Sequence, residues 1–496
     1  MAGDPVGAEN PKAAAAKAVA ANDFEAAVRS LVAPFLASSE PSSEHGTGPA
    51  PPLEVARLSG GASRRTWTIR TPATSPDLIL QVARGGATPM EWQARVMSAA
   101  RRVGVRVPEV ISAGPDPGGL GGDHLLTVRV EGESIPRRIL RDPAFAAARR
   151  TLTGELGEAL ARIHTVDPGA GPDGAPDRPD ELTFYTDILA GLPTPYPALE
   201  LVAVRLARTR PDPAPATLVH GDFRMGNLLV TPEGLAGVLD WELAHPGDPR
   251  EDLGWLCVRA WRFGGEGRVA GVGSRSELLA AYHAAGGAAF TEDELDWWEA
   301  LGTFRWGVIC AVQGSRHLSG SERSHELAAV GRRVCENEWD LLETIAPAEP
   351  SEMVEIVDRA RRAVELTTGP DRVPPAVDGA GALHSGPDAR QLLHAVRHWL
   401  AEDLGPELEG RSRFHARVAA NIVAQVEREL VLGPSRSGVR AERLADLGVA
   451  DGAELARVLR DGTLDPDDPA VLTAVRADVV DRLLVANPRY LIPRGG

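Results

Sequence analysis

Leu218-Val219-His220-Gly221-Asp222-Phe223-Arg224-Met225-Gly226-Asn227-Leu228-Leu229-Val230 runs through Thr231-Pro232-Glu233-Gly234 into Leu235-Ala236-Gly237-Val238-Leu239-Asp240-Trp241-Glu242. Leu228–Val230 and Leu235–Leu239 are short apolar runs. Between them Pro232 supplies a φ near −65° and Gly234 closes the turn. The pattern predicts a β-hairpin. Asn227 lies just before its first strand and Asp240 just after its second, so antiparallel pairing brings both side chains to one edge. Asp222 sits five residues ahead of Asn227, in a loop that carries Gly221 and Gly226.

Two oxygen ligands at one edge, with a third carboxylate beside them, suit a hard divalent cation; Mg2+ usually takes one or two carboxylates together with substrate phosphates. Phosphoryl transfer asks for a carboxylate that orients the attacking hydroxyl and accepts its proton, and for ligands that hold metal. The series His220-Gly221-Asp222, Asn227 and Asp240 resembles the catalytic loop and metal-binding Asp of protein kinases, with Gly221 where those have Arg. It is similar to the aminoglycoside phosphotransferase family of small-molecule kinases, in the branch related to the kinase-like domain fused to some acyl-CoA dehydrogenases. The resemblance implies an α+β, two-lobed protein-kinase-like fold. It makes Asp222 the catalytic base, Asn227 and Asp240 the metal ligands, and ATP or GTP with Mg2+ the phosphoryl donor.

Downstream, Asp248-Pro249-Arg250-Glu251 places Asp at a cap, Pro at the first helical position and Glu at the third, a helix start. Asp252 on that helix is expected to support the loop, and His220 to brace it. His164, at the end of a helix expected over 143–164, is read as a helix-end residue.

Composition narrows the classes. The 496 residues are 43% hydrophobic, enough for more than one core. The net charge of −16, with no basic stripe against it, argues against nucleic acid as a partner. Cys257, Cys310 and Cys335 have neither metal nor disulfide spacing, which suits a reducing cytoplasm. No apolar run has the length of a membrane span, so no membrane partner is expected and the protein is read as cytoplasmic.

The order along the chain predicts a helical leader and linker over 1–52, a small nucleotide-binding lobe over 53–130 and a large catalytic lobe over 131–346. A linker follows over 347–387, then an all-α C-terminal domain over 388–496. The leader, Ala-rich up to Leu36, is given no chemistry. In the small lobe, Gly60, Gly61 and Ser63 form a turn whose backbone amides can approach phosphate; the family often has Asn where this chain has Arg64. The resemblance also requires a basic residue on the third strand, paired with Glu on the next helix. Alignment puts Gln81 and Gln93 there. Both are neutral, so the change is chemically self-consistent, and Arg84 or Arg64 is left to reach the phosphates. Arg129 and Val130 belong to the segment implied to form the hinge against the nucleotide base.

Trp297, Trp298, Leu301, Phe304, Trp306, Val308 and Ile309 give a helical aromatic stripe, usually core, though in this family such helices also wall the acceptor pocket. Phe414, Val418, Ile422, Val426 and Leu430 recur every fourth residue on another helix. This tail resembles an uncharacterised helical domain that accompanies some bacterial members of the branch. It is read as the surface for a homodimer or a protein partner.

Three functions compete. The first is a small-molecule kinase moving the γ-phosphoryl group of a nucleoside triphosphate to the hydroxyl of a metabolite, with hydroxyacyl-CoA pointed to by the branch. The second is a nucleotide-binding or scaffold protein with impaired catalysis, suggested by Gln81 and Gln93. The third is an aminoglycoside phosphotransferase.

Overall fold

The computed structural model describes residues 23–36, 53–58, 64–72, 75–83, 89–168, 180–368 and 386–493. Contacts divide the chain into two compact units, Met1–Asp177 with Pro213–Leu295 and Arg178–Asp212 with Asp296–Gly496.

The first unit holds the sheets. Strands β1 (Glu54–Leu58), β2 (Arg64–Arg70), β3 (Leu78–Ala83), β4 (Val110–Gly114) and β5 (His124–Val128) form a five-stranded sheet in the order β1-β2-β3-β5-β4. All its pairings are antiparallel. The period of two sorts the side chains between its faces. Trp67, Ile69, Leu78, Leu80, Val82 and Leu126 are buried in one cluster with Ala27, Val28 and Val32 of a helix over 23–36. The leader therefore covers one face of this sheet, and the Phe24 ring lies 4.7 Å from that of Trp67. The alternate residues, Thr66, Thr68, Ile79, Gln81 and Thr127, face a cavity instead.

Strands β6 (Thr217–Val219), β7 (Leu228–Thr231), β8 (Gly234–Val238) and β9 (His245–Gly247) make two short antiparallel ribbons, β6 with β9 and β7 with β8. The expected hairpin is present. Its register runs from Leu228 opposite Val238 to Thr231 opposite Gly234, with a bulge between Leu229 and Val230. The helix expected over 143–164 is a short 3-10 turn, Pro143–Phe145, followed by Ala146–Ile163.

The second unit is helical. Helices Pro197–Arg208, Val334–Ile345, Pro350–Thr368, Gly452–Arg460 and Pro469–Ala486 contribute to one buried cluster. Within the aromatic stripe Trp298, Leu301, Phe304 and Val308 are buried in that cluster, and Trp297 donates its indole N–H to the Leu206 carbonyl at 3.1 Å. Pro469–Ala486 is capped by the Asp468 side chain, which accepts from the Ala470 N–H. The helix bearing Phe414 runs over Gly410–Asp446; Phe414 itself is exposed, and Val418, Ile422, Val426 and Leu430 are half-buried.

Candidate active site

The loop between β6 and β7 is fixed from beneath by Asp252. This carboxylate, fully buried on helix Arg250–Cys257, accepts the backbone N–H of His220 at 2.7 Å and of Gly221 at 2.9 Å. Burial opposes its charge, but hydrogen bonds from His164 and the loop backbone hold Asp252 below the ordinary carboxylate range. His164 bridges it to Tyr282, with Nε2 3.3 Å from Asp252 Oδ2 and Nδ1 2.8 Å from the Tyr282 hydroxyl. So His164 ends its helix, as expected, and also joins three elements under the loop. The helix itself starts as the cap pattern requires: Asp248 Oδ1 accepts the Arg250 N–H at 3.0 Å. Gly221 has φ +75°, and a Cβ there would lie 2.4 Å from the Leu243 carbonyl oxygen, so the loop takes glycine at this point.

His220 is fully buried and braces the loop through both ring nitrogens. Its Nδ1 accepts the Asp222 N–H at 3.1 Å, and its Nε2 lies 3.0 Å from the Leu239 carbonyl. An Nδ1 that accepts cannot carry a proton, so the ring is neutral, with its proton on Nε2. Burial pushes its pKa down in the same sense, against the nearby charges of Asp252 and Asp222.

Asp222 is held by three donors. Oδ1 accepts from Arg224 Nε at 2.9 Å and from Trp255 Nε1 at 2.9 Å; Oδ2 accepts from Asn227 Nδ2 at 2.6 Å. A carboxylate has roughly four acceptor positions, so about one is left, on Oδ2. Arg224 is itself held with its guanidinium 4.6 Å from the centre of the Trp261 ring. Because Asn227 spends its amide nitrogen on Asp222, its side-chain oxygen is left as a ligand atom.

Asn227 and Asp240 are brought together at the hairpin edge, where the Leu239 N–H bonds the Asn227 carbonyl at 2.8 Å. Asp240 takes a left-handed backbone, φ 64°, which turns it out of the strand. Both line a cavity of about 440 Å3 with Gln81, Gln93, Arg129 and Val130, within the size range of small-ligand sites. Burial, with Glu242 and Asp222 close by, pushes the Asp240 pKa up to about 6 against the pull of Arg64.

Two arginines, Arg64 and Arg129, line this cavity, and Arg64 is the buried one. Its Nη1 donates to Gln81 Oε1 at 3.1 Å, and its Nη2 lies 2.7 Å from Glu242 and 3.3 Å from Asp240. Gln81 and Gln93 both line the cavity, whereas Glu91 is exposed. Gly60, Gly61, Ser63 and Arg84 lie outside the described residues. Glu133 and Val230 exchange backbone bonds of 2.8 and 3.0 Å, tying the segment after Val130 to the hairpin. The parts that sequence reasoning missed are Arg224, Trp255 and Glu242. Arg224 and Trp255 donate to Asp222, whereas Glu242 accepts from Arg64; Arg224, two residues after Asp222, is the one that local spacing could have found.

Residues 54–298 match the model of the phosphotransferase enzyme family. This segment is a phosphotransferase-family domain. The domain is 31% identical over 231 residues to acyl-CoA dehydrogenase family member 10 of Mus musculus, covering 43% of this chain and 21% of that protein. Acyl-CoA dehydrogenase family member 11 of Gallus gallus is 27% identical over 324 residues, 59% of this chain and 41% of that protein. The chain thus spans only about a fifth to two-fifths of these curated relatives. Among solved structures, a Ralstonia eutropha protein provisionally assigned as an aminoglycoside phosphotransferase covers 64% of this chain and 97% of its own, with 23% identity and a TM-score of 0.49. After the phosphotransferase domain, residues 406–490 match a domain of unknown function, DUF6285. No helix among the described residues is long and apolar enough to cross a membrane.

Proposed function

We propose that the protein is a small-molecule kinase that transfers the γ-phosphoryl group of ATP or GTP to an alcohol. The observation that carries the reading is the Asp222 carboxylate, three acceptor positions filled and about one open, fixed beside Asn227 and the Asp240 edge. A substrate hydroxyl bound at Oδ2 gives its proton to Asp222 as its oxygen bonds the γ-phosphorus. The bond from that phosphorus to the β-bridging oxygen breaks, and the nucleoside diphosphate leaves.

Asn227 and Asp240 would hold Mg2+, which suits their oxygen donor set and, when bound, neutralises phosphate charge. Arg64 stands beside Asp240 and Gln81, where the resemblance expects a basic residue, and would meet the phosphates. Gly60, Gly61, Ser63 and Arg84 are assigned to cover them, and Arg129 and Val130 to flank the base. In this reading residues 53–130 are the nucleotide lobe and 131–346 the catalytic lobe.

The names of the curated relatives tie them to acyl-CoA dehydrogenases, which favours hydroxyacyl-CoA as the acceptor class over aminoglycosides. Exposed Leu392, Val396, Trp399 and Phe414 support a second copy or a protein partner at the C-terminal helices. The replacement of the ion pair by Gln81 and Gln93 supports a second reading, a binding protein without turnover; the buried cation at Arg64 favours the first.

The test incubates purified protein with Mg2+ and labelled ATP or GTP across simple alcohols, hydroxyacyl-CoAs and aminoglycosides. Transfer to a hydroxyacyl-CoA is the expected result. Nucleotide binding without transfer to any acceptor would establish the binding protein.

A further inference from the structure

Within the second unit a cavity of about 380 Å3 is lined from segments 194–197 and 331–335 and from helices Gly410–Asp446 and Pro469–Ala486. Its charged wall carries Arg332, Arg436, Arg440 and Arg482 together with Glu429, Asp478 and Asp481. The acids around it are shared among these cations. Asp481 pairs with Arg359, Arg436 and Arg443, and Asp478 with Arg440 and Arg482. Arg332 pairs with Glu429 at 2.7 Å, and Arg482 with Glu338 at 2.6 Å. Six guanidiniums thus meet four carboxylates in this network, and on the cavity wall itself four meet three, an excess of one positive charge.

Donors are left over as well. Arg436 Nε and Arg482 Nη2, on residues that line the cavity, are buried without a hydrogen-bond partner among the described residues. Arg359 Nε and Arg443 Nη1, in the same ion-pair network, share that condition. Folded proteins rarely leave buried donors unmade, and the planar fork of Arg fits phosphate oxygens in pairs. Space comes from the long helix itself, which has no side chain at Gly433, a lining residue, and carries Pro434 in its interior. Tyr196, Val334 and Val485 supply apolar wall.

We propose that this cavity binds a small phosphomonoester, its dianionic head among Arg436, Arg440 and Arg482 and its apolar body along Tyr196, Val334 and Val485. The site uses none of the residues assigned to phosphoryl transfer. A Cβ at Gly433 would meet nothing nearer than Glu429 Cγ at 3.9 Å, so the helix accepts a side chain there. Gly433→Phe therefore fills the cavity while keeping every arginine.

The experiment titrates phenyl phosphate and inorganic phosphate into the full chain without Mg2+, by calorimetry. Phenyl phosphate should bind about tenfold or more tightly than phosphate, through the apolar area it buries. Gly433→Phe and Arg436→Met should each weaken it by about tenfold or more, as expected for a lost charge-assisted contact. Arg64→Gln, in the other cavity, should leave it unchanged. Absence of binding to the wild type up to about 10 mM, binding that survives either cavity substitution in a folded protein, or loss in Arg64→Gln would overturn the proposal.

Discussion

In the proposed kinase reaction Asp222 would act on the acceptor and Arg64 on the phosphates, and each can be removed without the other. Asp222 is not among the residues lining the 440 Å3 cavity, so Asp222→Asn should keep nucleotide affinity. General-base catalysis contributes about 10^2- to 10^4-fold, and transfer should fall by that factor in single-turnover assays. Near-wild-type turnover would remove Asp222 from the role. Arg64→Gln should act on binding instead. A charge-assisted hydrogen bond is worth about 1.5–3 kcal/mol, so nucleotide affinity should drop roughly 10- to 150-fold. Gln81→Lys alone would set a second cation against Arg64, whose Nη1 is 3.1 Å from Gln81 Oε1, and should weaken binding. Gln81→Lys with Gln93→Glu rebuilds an ion pair and should exceed either single substitution in phosphoryl transfer. The geometry of Asn227 and Asp240 was legible because one hairpin with clear turn chemistry sets it. The position of Arg64 was legible only as an option: its partner Glu242 is 178 residues away, and no local pattern reports such a contact.

The loop, the hairpin and helix Arg250–Cys257 act together through His220, whose neutral ring links the Asp222 N–H to the Leu239 carbonyl. This arrangement has a pH signature. Burial lowers the His220 pKa from its ordinary 6.5, so the unfolded chain takes up the proton first as the pH falls. The stability it contributes is complete above about pH 6.5 and is lost progressively as the pH falls through the lowered folded value. Thermal unfolding of wild type between about pH 7.5 and 5.5 should therefore include a loss that His220→Asn, with no titrating ring, lacks. Equal slopes for the two proteins would mean that His220 does not titrate on unfolding in that range. The cap at Asp248 was readable in sequence because capping is local. The chain from Tyr282 through His164 to Asp252 was not, because its members come from three helices and meet only by packing.

In the second unit, the stripe read from the sequence, Phe414 to Leu430, is exposed to half-buried, and the buried face lies on other C-terminal helices. The structure places Leu455, Leu459, Val471 and Val475 in the same buried cluster as Leu199, Val202, Trp339 and Leu342. A polar tie joins these helices at the edge of that core: Glu200, 1% exposed, accepts from both Nε and Nη2 of Arg460, whose side chain is exposed. Such a contact should make folding of the 197–208 and 452–460 helices cooperative. Arg460 is exposed and Glu200 is not, so losing Arg460 leaves a buried acceptor without its donors, at a cost of about 1–3 kcal/mol. Arg460→Met should destabilise the full chain by that amount in denaturant unfolding. Adding Glu200→Gln removes the stranded charge, so the double variant should lose less than the sum of the two single losses. A change below about 0.5 kcal/mol for Arg460→Met, the range of ordinary surface substitutions, would mean that the C-terminal helices fold as an appendage rather than as part of this core.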